Sequence, residues 1–246
     1  MPQNTEENLI DLKLNNLYMK IAIVVALESE LACMKRLFDN MEEICQNNNT
    51  YYIGKCNGNE ILLSQSGIGK VCAAVRCCDI ISYFKPDYII NTGLAGGIDV
   101  KSEVCDVVIG DEVMYHDVWC GDGCEKGQVQ GFPMRFKGCD YIIDKILENR
   151  EQNERVYKGL ICTGDQFITD DKILSQIKEN FKDAVAVDME SASFAHCCYI
   201  KGIPFVSLRV ISDTPGKENN VEQYNNFWEI APEKSFDVVK NLIFKL

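Results

Sequence analysis

The sequence predicts an α/β domain built on one central sheet, mixed but mostly parallel, with helices on both faces. Short apolar runs of strand length alternate along the chain with longer segments of helical pattern, as is typical of parallel strands joined by crossover helices. Several of these runs end directly at acidic or glycine residues, where an open α/β sheet binds its ligands. The 246 residues fit a single domain with a large core.

The N-terminal half supplies the first strands of this sheet. Residues 1–18 begin with a polar run and are interpreted as an extension outside the domain, which spans residues 19–246. An Asn-Gly pair within Cys56 to Asn59 predicts a hairpin turn. The other predicted elements here are a strand from Lys20 to Ala26, a helix from Ser29 to Phe38, a strand from Ile61 to Ser64, a helix ending at Phe84, a strand from Tyr88 to Asn91 and a glycine turn over Gly93 to Gly97.

The C-terminal half continues the alternation after a glycine-rich stretch. Residues Trp119 to Phe136 predict a long irregular loop, a kind of segment that is more often functional than idle. The remaining predicted strands are Val104 to Ile109, Gly159 to Thr163, Ala184 to Val187 and Phe205 to Ile211, and the remaining helices are Tyr141 to Glu151, Asp171 to Phe181, Met189 to Tyr199 and Glu233 to Lys245.

Composition excludes several classes of partner. The formal net charge of −12 disfavours nucleic acid and anionic membrane surfaces. We find no charged-then-apolar leader, and no apolar run reaches the roughly 18 residues of a membrane span. The 13 cysteines are odd in number and scattered, with only two histidines to help them hold a metal. We therefore expect reduced thiols, a cytoplasmic protein, and neither a metal nor a cofactor.

Three acidic residues follow predicted strands. Glu30 lies just past the first strand, Glu190 closes the run Val187-Asp188-Met189-Glu190, and Asp213 follows Ile211-Ser212. Because the carboxyl ends of parallel strands meet at one edge of the sheet, these carboxylates should surround one crevice. Such a group indicates acid/base chemistry on a small polar molecule.

Structural roles remain open for each of these residues. Glu30 could be a favourable partner of a helix dipole, Asp213 a helix N-cap and Glu190 an acid in the first turn of a helix. We interpret His116, beside Asp117, as structural because no nucleophile follows at a suitable spacing, and His196 as a core residue on an apolar helix face.

The order of motifs resembles the 5'-methylthioadenosine/S-adenosylhomocysteine nucleosidases of the purine nucleoside phosphorylase superfamily. The resemblance covers the chain from Met19 onward, and although each motif is weak alone, eight in order are specific. They are Ile23 to Glu30, Ser66 to Lys70, Asn91 to Gly97, Tyr115 to Asp117, Gly127 through Pro133, Thr163 to Ile168, Val187 to Glu190 and Arg209 to Asp213.

This resemblance implies hydrolysis of an N-glycosidic bond in a nucleoside phosphorylase-like fold. Adenine and a 5-thio-substituted ribose would be released, in methionine salvage and the recycling of S-adenosylmethionine by-products. The resemblance assigns the proton donor at purine N7 to Asp213, whose pKa would have to be raised. Glu30 matches the base that activates water on the opposite sugar face, as in an inverting glycosidase. Arg209 matches the residue that helps to hold that water.

The resemblance also implies the substrate contacts. Glu190 corresponds to the carboxylate that binds the ribose hydroxyls, with Met189 packing on the sugar. Adenine would lie beside Phe167 and bond to the backbone of Ile168. The 5'-thio group would enter an apolar pocket made by Leu27, Ile68 and Tyr224, and the predicted substrate-binding set is completed by Ala95, Gly96 and Ser212.

Partners and competing functions follow from the same comparison. The ligands would be adenine nucleosides, and a homodimer is implied in which the loop Trp119 to Phe136 reaches the neighbouring site. Leu94 stands where many relatives carry a small hydroxyl residue, and Asp188 replaces a commoner glutamate. A nucleoside phosphorylase of the same fold needs cations around phosphate, yet the run ending at Glu30 has two carboxylates and no arginine. A non-catalytic adenosine-binding or storage protein is the other alternative.

Overall fold

The computed structural model describes residues 18–46, 48–150, 155–214, 227 and 230–246. Its strands are β1 (Lys20–Val25), β2 (Met41–Gln46), β3 (Asn49–Cys56), β4 (Asn59–Gln65), β5 (Tyr88–Gly97), β6 (Val107–Tyr115), β7 (Phe136–Lys137), β8 (Val156–Thr163), β9 (Ala184–Asp188) and β10 (Phe205–Asp213). Its helices are α1 (Glu28–Met34), α2 (Lys70–Phe84), α3 (Asp140–Glu148), α4 (Asp171–Asn180), α5 (Ser191–Lys201) and α6 (Ile230–Ile243), with a short 3-10 helix over Lys35–Leu37.

One mixed sheet joins all of these strands. Strands β4, β1, β5 and β10 are parallel neighbours, and so are β6, β8 and β9. Antiparallel pairings of β10 with β6 and of β5 with β9 connect the two groups. The five strands β10, β6, β8, β9 and β5 therefore close into a ring, while β1, β4, β3 and β2 extend from β5 as an open sheet.

The outer part of the sheet is a meander of hairpins. Strand β3 runs antiparallel to both β2 and β4. The predicted turn between β3 and β4 is confirmed, with Asn57 at a φ of 49° and Gly58 at 82°. Two successive positive φ values are those of a type I′ turn, which asparagine and glycine adopt readily.

Helices cover both faces, as predicted. Helices α1, α3 and α6 bury Met34, Ile143 and Val239 in one apolar cluster against the sheet. Helices α2 and α5 bury Ile80 and Phe194 in a second cluster on the other face. Strand β1, between these clusters, is aliphatic from Ile21 to Val25 because it is buried on both sides. The predicted fold class is confirmed.

Several boundaries differ from the prediction. The glycine turn over Gly93 to Gly97 is wrong, because β5 continues through it to pair with β10 and β9. Strand β6 starts three residues later than Val104 and runs to Tyr115, and β2 was not predicted. The loop Trp119 to Phe136 is irregular as expected, up to the two-residue strand β7. Of the predicted extension, only Tyr18 is among the described residues. Among the described helices, none combines the length and apolar composition needed to cross a membrane.

Candidate active site

A cavity of about 380 Å³ opens where β1, β5, β9 and β10 end. Its size is that of a site for a small molecule. The structure brings twelve of the thirteen predicted site residues to its wall: Leu27, Glu30, Ile68, Ala95, Gly96, Phe167, Ile168, Met189, Glu190, Arg209, Ser212 and Asp213. The thirteenth, Tyr224, lies outside the described residues.

Glu30 reaches the cavity from the first turn of α1. Its Oε2 accepts hydrogen bonds from the backbone N–H groups of Ala26 (3.0 Å) and Leu27 (2.9 Å). Its Oε1 faces β5, where a Cβ on Gly93 would lie only 2.8 Å away. The carboxylate thus caps α1 with one oxygen and leaves the other at the cavity wall. Burial raises the pKa of Glu30, against the lowering effects of these amides and of Arg209.

Arg209 is held on β10 by a buried polar network. Its side chain is 2% exposed. Its Nε donates to Asp188 Oδ2 (2.7 Å) and its Nη2 to Asn91 Oδ1 (2.5 Å). Asp188 also accepts from the Thr163 hydroxyl (2.5 Å) and from both the N–H and the hydroxyl of Ser191. The guanidinium is therefore charge-paired and fixed in orientation before any ligand binds.

Glu190 is drawn toward the start of α2. It occupies the N-cap position of α5 without a capping bond. Its Oε1 instead accepts from the N–H of Gly69 (2.9 Å), and its Oε2 lies 3.9 Å from Arg209. Burial, followed by the nearby charge of Asp188, raises the pKa of Glu190 to about 7.

Asp213 ends β10 beside β5. It is 1 % exposed, and its Oδ1 accepts a hydrogen bond from the Ser212 hydroxyl at 2.7 Å. The Ser212 hydroxyl lies 3.4 Å from the carbonyl oxygen of Ala95. The register places Asp213 opposite Gly96, one step past a bulge after Ile211. This irregularity turns the end of β10 toward the cavity.

The rest of the wall is mostly apolar. Phe167 is 48 % exposed and Ile68 is 55 % exposed, although both line the cavity. Leu27, Leu94 and Met189 complete this part, and Leu94 also packs against the cluster under α1 and α6. An apolar region beside four carboxylates and one guanidinium suits a ligand with a polar and an apolar end.

The two histidines lie outside the cavity lining. The ring of His116 packs under Gly164, where a Cβ would come within 2.3 Å of its Nε2. His196 sits among the rings of Phe132 and Phe136, with its Nδ1 3.3 Å from the Tyr115 hydroxyl. Within the described part of the chain the Nε2 atoms of both rings are buried without partners, so His196 is only half satisfied as a core residue.

Several supporting residues were not predicted. Asn91 and Thr163 lie within sequence motifs that predict no role for them, and Ser191 lies outside every motif. A polar residue inside an aliphatic strand is the signal that could have revealed Asn91 and Thr163, since a buried polar group requires a partner. Gly93 was attributed to a turn, whereas its lack of a side chain makes room for Glu30.

Comparison with known proteins agrees with this geometry. The family model of the phosphorylase superfamily matches residues 20–243. A nucleosidase for 5'-methylthioadenosine and S-adenosylhomocysteine from Colwellia psychrerythraea, solved with adenine, is 35% identical, with 93% of this chain and 96% of that one covered and a TM-score of 0.88.

Two further solved structures are similar over nearly their whole length. The nucleosidase from Neisseria meningitidis, in complex with methylthio-immucillin-A, is 32% identical, with 93% of this chain and 100% of that one covered and a TM-score of 0.89. The futalosine hydrolase of Helicobacter pylori is 27% identical, with coverages of 93% and 98% and a TM-score of 0.87.

Proposed function

The chain belongs to the phosphorylase superfamily, and on that premise we propose that it is an N-ribosyl hydrolase. Its substrates are 5'-methylthioadenosine and S-adenosylhomocysteine, which it cleaves to adenine and the 5-thio-substituted ribose. Solved relatives named for this activity cover nearly the whole chain. The reaction serves methionine salvage and the recycling of S-adenosylmethionine by-products.

The charge of the cavity carries the choice of hydrolysis over phosphorolysis. Among the described residues that line it, Arg209 is the one cation, and it is already paired with Asp188. A phosphate dianion would meet the carboxylates of Glu30 and Glu190 around that single engaged guanidinium. Repulsion between buried like charges amounts to several kcal/mol, so water is the acceptable nucleophile.

Asp213 is the proton donor. The glycosidic bond breaks through an oxocarbenium-like ribosyl cation, and adenine leaves more readily as a neutral molecule than as an anion. Asp213 delivers a proton to purine N7, and the Ser212 hydroxyl orients its carboxyl group. Phe167 provides a face for the adenine ring, and the backbone of Ile168 supplies hydrogen bonds to its edge.

Glu30 activates the attacking water. A base is most effective when its pKa approaches the working pH, and burial moves the pKa of Glu30 upward in that direction. The backbone amides of Ala26 and Leu27 fix one carboxylate oxygen, so the other keeps a constant direction. Arg209 lies close enough to Glu30 to help hold the water.

Glu190 binds the ribose hydroxyls. A carboxylate presents two acceptor oxygens to a vicinal diol, which favours ribose over deoxyribose. Met189 packs on the sugar, and Ala95 and Gly96 close the wall beside it. The apolar residues Leu27 and Ile68 receive the 5'-substituent, together with Tyr224.

The protein acts as a cytoplasmic homodimer. Support for a second copy comes from exposed apolar side chains on α2 and at the start of the loop Trp119 to Phe136, with Val71 74 %, Val75 57 % and Trp119 65 % exposed. The loop Trp119 to Phe136 reaches the neighbouring site. All 13 cysteines are free, which suits a reducing compartment. Residues 1–18 form an extension to the domain, residues 19–246.

A phosphate-free assay of adenine release tests the activity. Purified protein is incubated with each nucleoside, and adenine is measured by chromatography with and without added phosphate. We expect release without phosphate, abolished by Glu30→Gln and by Asp213→Asn while the melting temperature stays near that of the wild type. Futalosine, for which one solved relative is named, is included as a competing substrate.

Each other result contradicts part of the proposal. Release that requires phosphate indicates a phosphorylase, and tight binding without turnover indicates a storage protein. Wild-type rates in either variant refute the role given to that residue. Faster release from futalosine than from the thio-nucleosides refutes the substrate assignment.

A further inference from the structure

A cluster of one lysine and two aspartates lies beside the cavity, outside its lining. Lys70, the first residue of α2, places its Nζ 2.8 and 2.7 Å from the two carboxylate oxygens of Asp117. The same Nζ lies 3.6 Å from Asp165. We call these three residues the Lys70 cluster. With side chains 22%, 25% and 49% exposed, they are partly sheltered from solvent.

Backbone hydrogen bonds join the same three segments. The Lys70 N–H donates to Asp165 Oδ1 (2.8 Å), and the Asp165 N–H donates to Asp117 Oδ2 (2.9 Å). Position 69, the N-cap of α2, is glycine and has no side chain to cap the helix. Asp165 therefore supplies the N-terminal cap of α2 from a distant loop.

Neighbouring residues connect the cluster to both halves of the proposed substrate site. The N–H of Gly69 donates to Glu190 Oε1 (2.9 Å), and the N–H of Lys70 donates to Asp165. Two successive amides at the start of α2 therefore bind Asp165 and Glu190, the residue proposed to bind the ribose. In the other direction, Asp165 is followed by Gln166, Phe167 and Ile168, which line the cavity. Phe167, the proposed face for adenine, is therefore only two positions after Asp165 in the sequence.

Electrostatics favours a cluster that keeps its charges. Half-burial opposes ionisation of Asp117, but the Lys70 ammonium and the Asp165 N–H outweigh it and hold the pKa of Asp117 below its usual value. Charge-assisted hydrogen bonds of this kind are shorter and stronger than neutral ones, and they restrict the loop that carries them.

We propose that Lys70, Asp117 and Asp165 form a positioning unit, which fixes the purine-binding residues 166–168 at a set distance from the ribose ligand Glu190. This inference rests on the proposed function, because the roles of those residues come from it. The unit contacts no reacting atom. It holds the purine-binding and ribose-binding residues at a fixed separation, so its loss weakens binding of the purine.

The test compares Lys70→Met with a matched control, Arg135→Met, in the full-length chain. Arg135 also bridges two carboxylates, those of Glu112 (2.8 Å) and Asp183 (2.7 Å), and its side chain is 26% exposed. It is absent from the cavity wall. Adenine binding is measured by titration calorimetry, kcat and KM with 5'-methylthioadenosine, and stability by thermal unfolding.

We expect Lys70→Met to weaken adenine binding and raise KM by about tenfold, the size of one lost charge-assisted hydrogen bond. Arg135→Met should lower the melting temperature about as much as Lys70→Met does, but it should leave the adenine affinity unchanged. Lys70→Arg should restore most of the affinity. If Lys70→Met does not fold, Asp117→Asn, which keeps the side-chain volume, replaces it under the same criterion.

Equal adenine affinity in Lys70→Met and the wild type, with the melting temperature lowered as in Arg135→Met, overturns the inference, since the cluster is then merely structural. A wild-type protein that binds adenine but releases none from any nucleoside contradicts the proposed function instead. In that case the ratio of the adenine dissociation constants of Lys70→Met and the wild type still decides whether the Lys70 cluster positions the purine-binding residues.

Discussion

Replacing Asp188 by asparagine should destabilise the fold strongly. Its side chain is 1% exposed and accepts hydrogen bonds from Arg209, Thr163 and Ser191. Asparagine has nearly the same volume, so no cavity forms. It carries no charge, however, and its amide nitrogen is a donor, which can replace Oδ1 only if the hydrogen bond with the Thr163 hydroxyl reverses its direction. The guanidinium of Arg209 is then left buried without its main counter-charge.

The expected cost follows from measured losses at buried ion pairs. Removing one partner of such a pair costs about 3–5 kcal/mol in the free energy of unfolding. The lower end applies here, because Glu190 remains 3.9 Å from Arg209 and retains part of its charge. For a domain of this size, about 3 kcal/mol at about 2–4 °C per kcal/mol gives a fall in melting temperature of about 6–12 °C.

Thermal and denaturant unfolding measure the effect, with Asp183→Asn as the matched control. Asp183 also pairs with an arginine, Arg135, at 2.7 Å, but its side chain is 58% exposed. Exposed pairs contribute about 0–1 kcal/mol, so the control should lose no more than about 4 °C. Equal losses in the two variants would refute the argument that burial of the Arg209 network determines its energetic weight.

Two further predictions concern Glu30, the proposed base, and Glu190, the residue proposed to bind the ribose. Gly93→Ala places a Cβ 2.8 Å from Glu30 Oε1 and 3.3 Å from Arg209 Nη1, so we expect the displaced carboxylate to lower kcat by about 100-fold; unchanged kcat would show that Glu30 moves aside without loss. Because the pKa of Glu190 is raised to about 7, its carboxylate gains a proton as pH falls through 7. The KM for 5'-methylthioadenosine should then rise, and a flat KM between pH 6 and 8 would contradict the role of Glu190.

The acidic residues of the site could be located from the sequence because strand ends share an edge. Glu30, Glu190 and Asp213 do line one cavity. For Glu30, the structural and functional interpretations both apply, since one oxygen caps α1 while the other faces β5. Glu190 does sit at a helix start, but its side chain bonds to Gly69 instead of capping its own helix.

Other features depend on contacts between distant residues and could not be predicted. Gly97 is the last residue of β5, and a Cβ at this position would meet Ile211 and Ser102 at 2.8 Å. Packing therefore requires a glycine here, although the local sequence indicates a turn. Strand β2 has no apolar alternation because it is exposed on both sides. Lys70 pairs with Asp117 and Asp165, and nothing local in the sequence identifies these residues as its partners.

Closure of five strands into a ring also affects how the molecule avoids self-association. A strand inside a closed ring has no unpaired backbone groups to offer another chain. At the open side of the sheet, among the described strands, β2 is outermost and pairs only with β3. It carries Glu42 and Glu43, both exposed. Burying these charges against an incoming strand would be unfavourable, so the acidic border acts as protection against edge-to-edge aggregation.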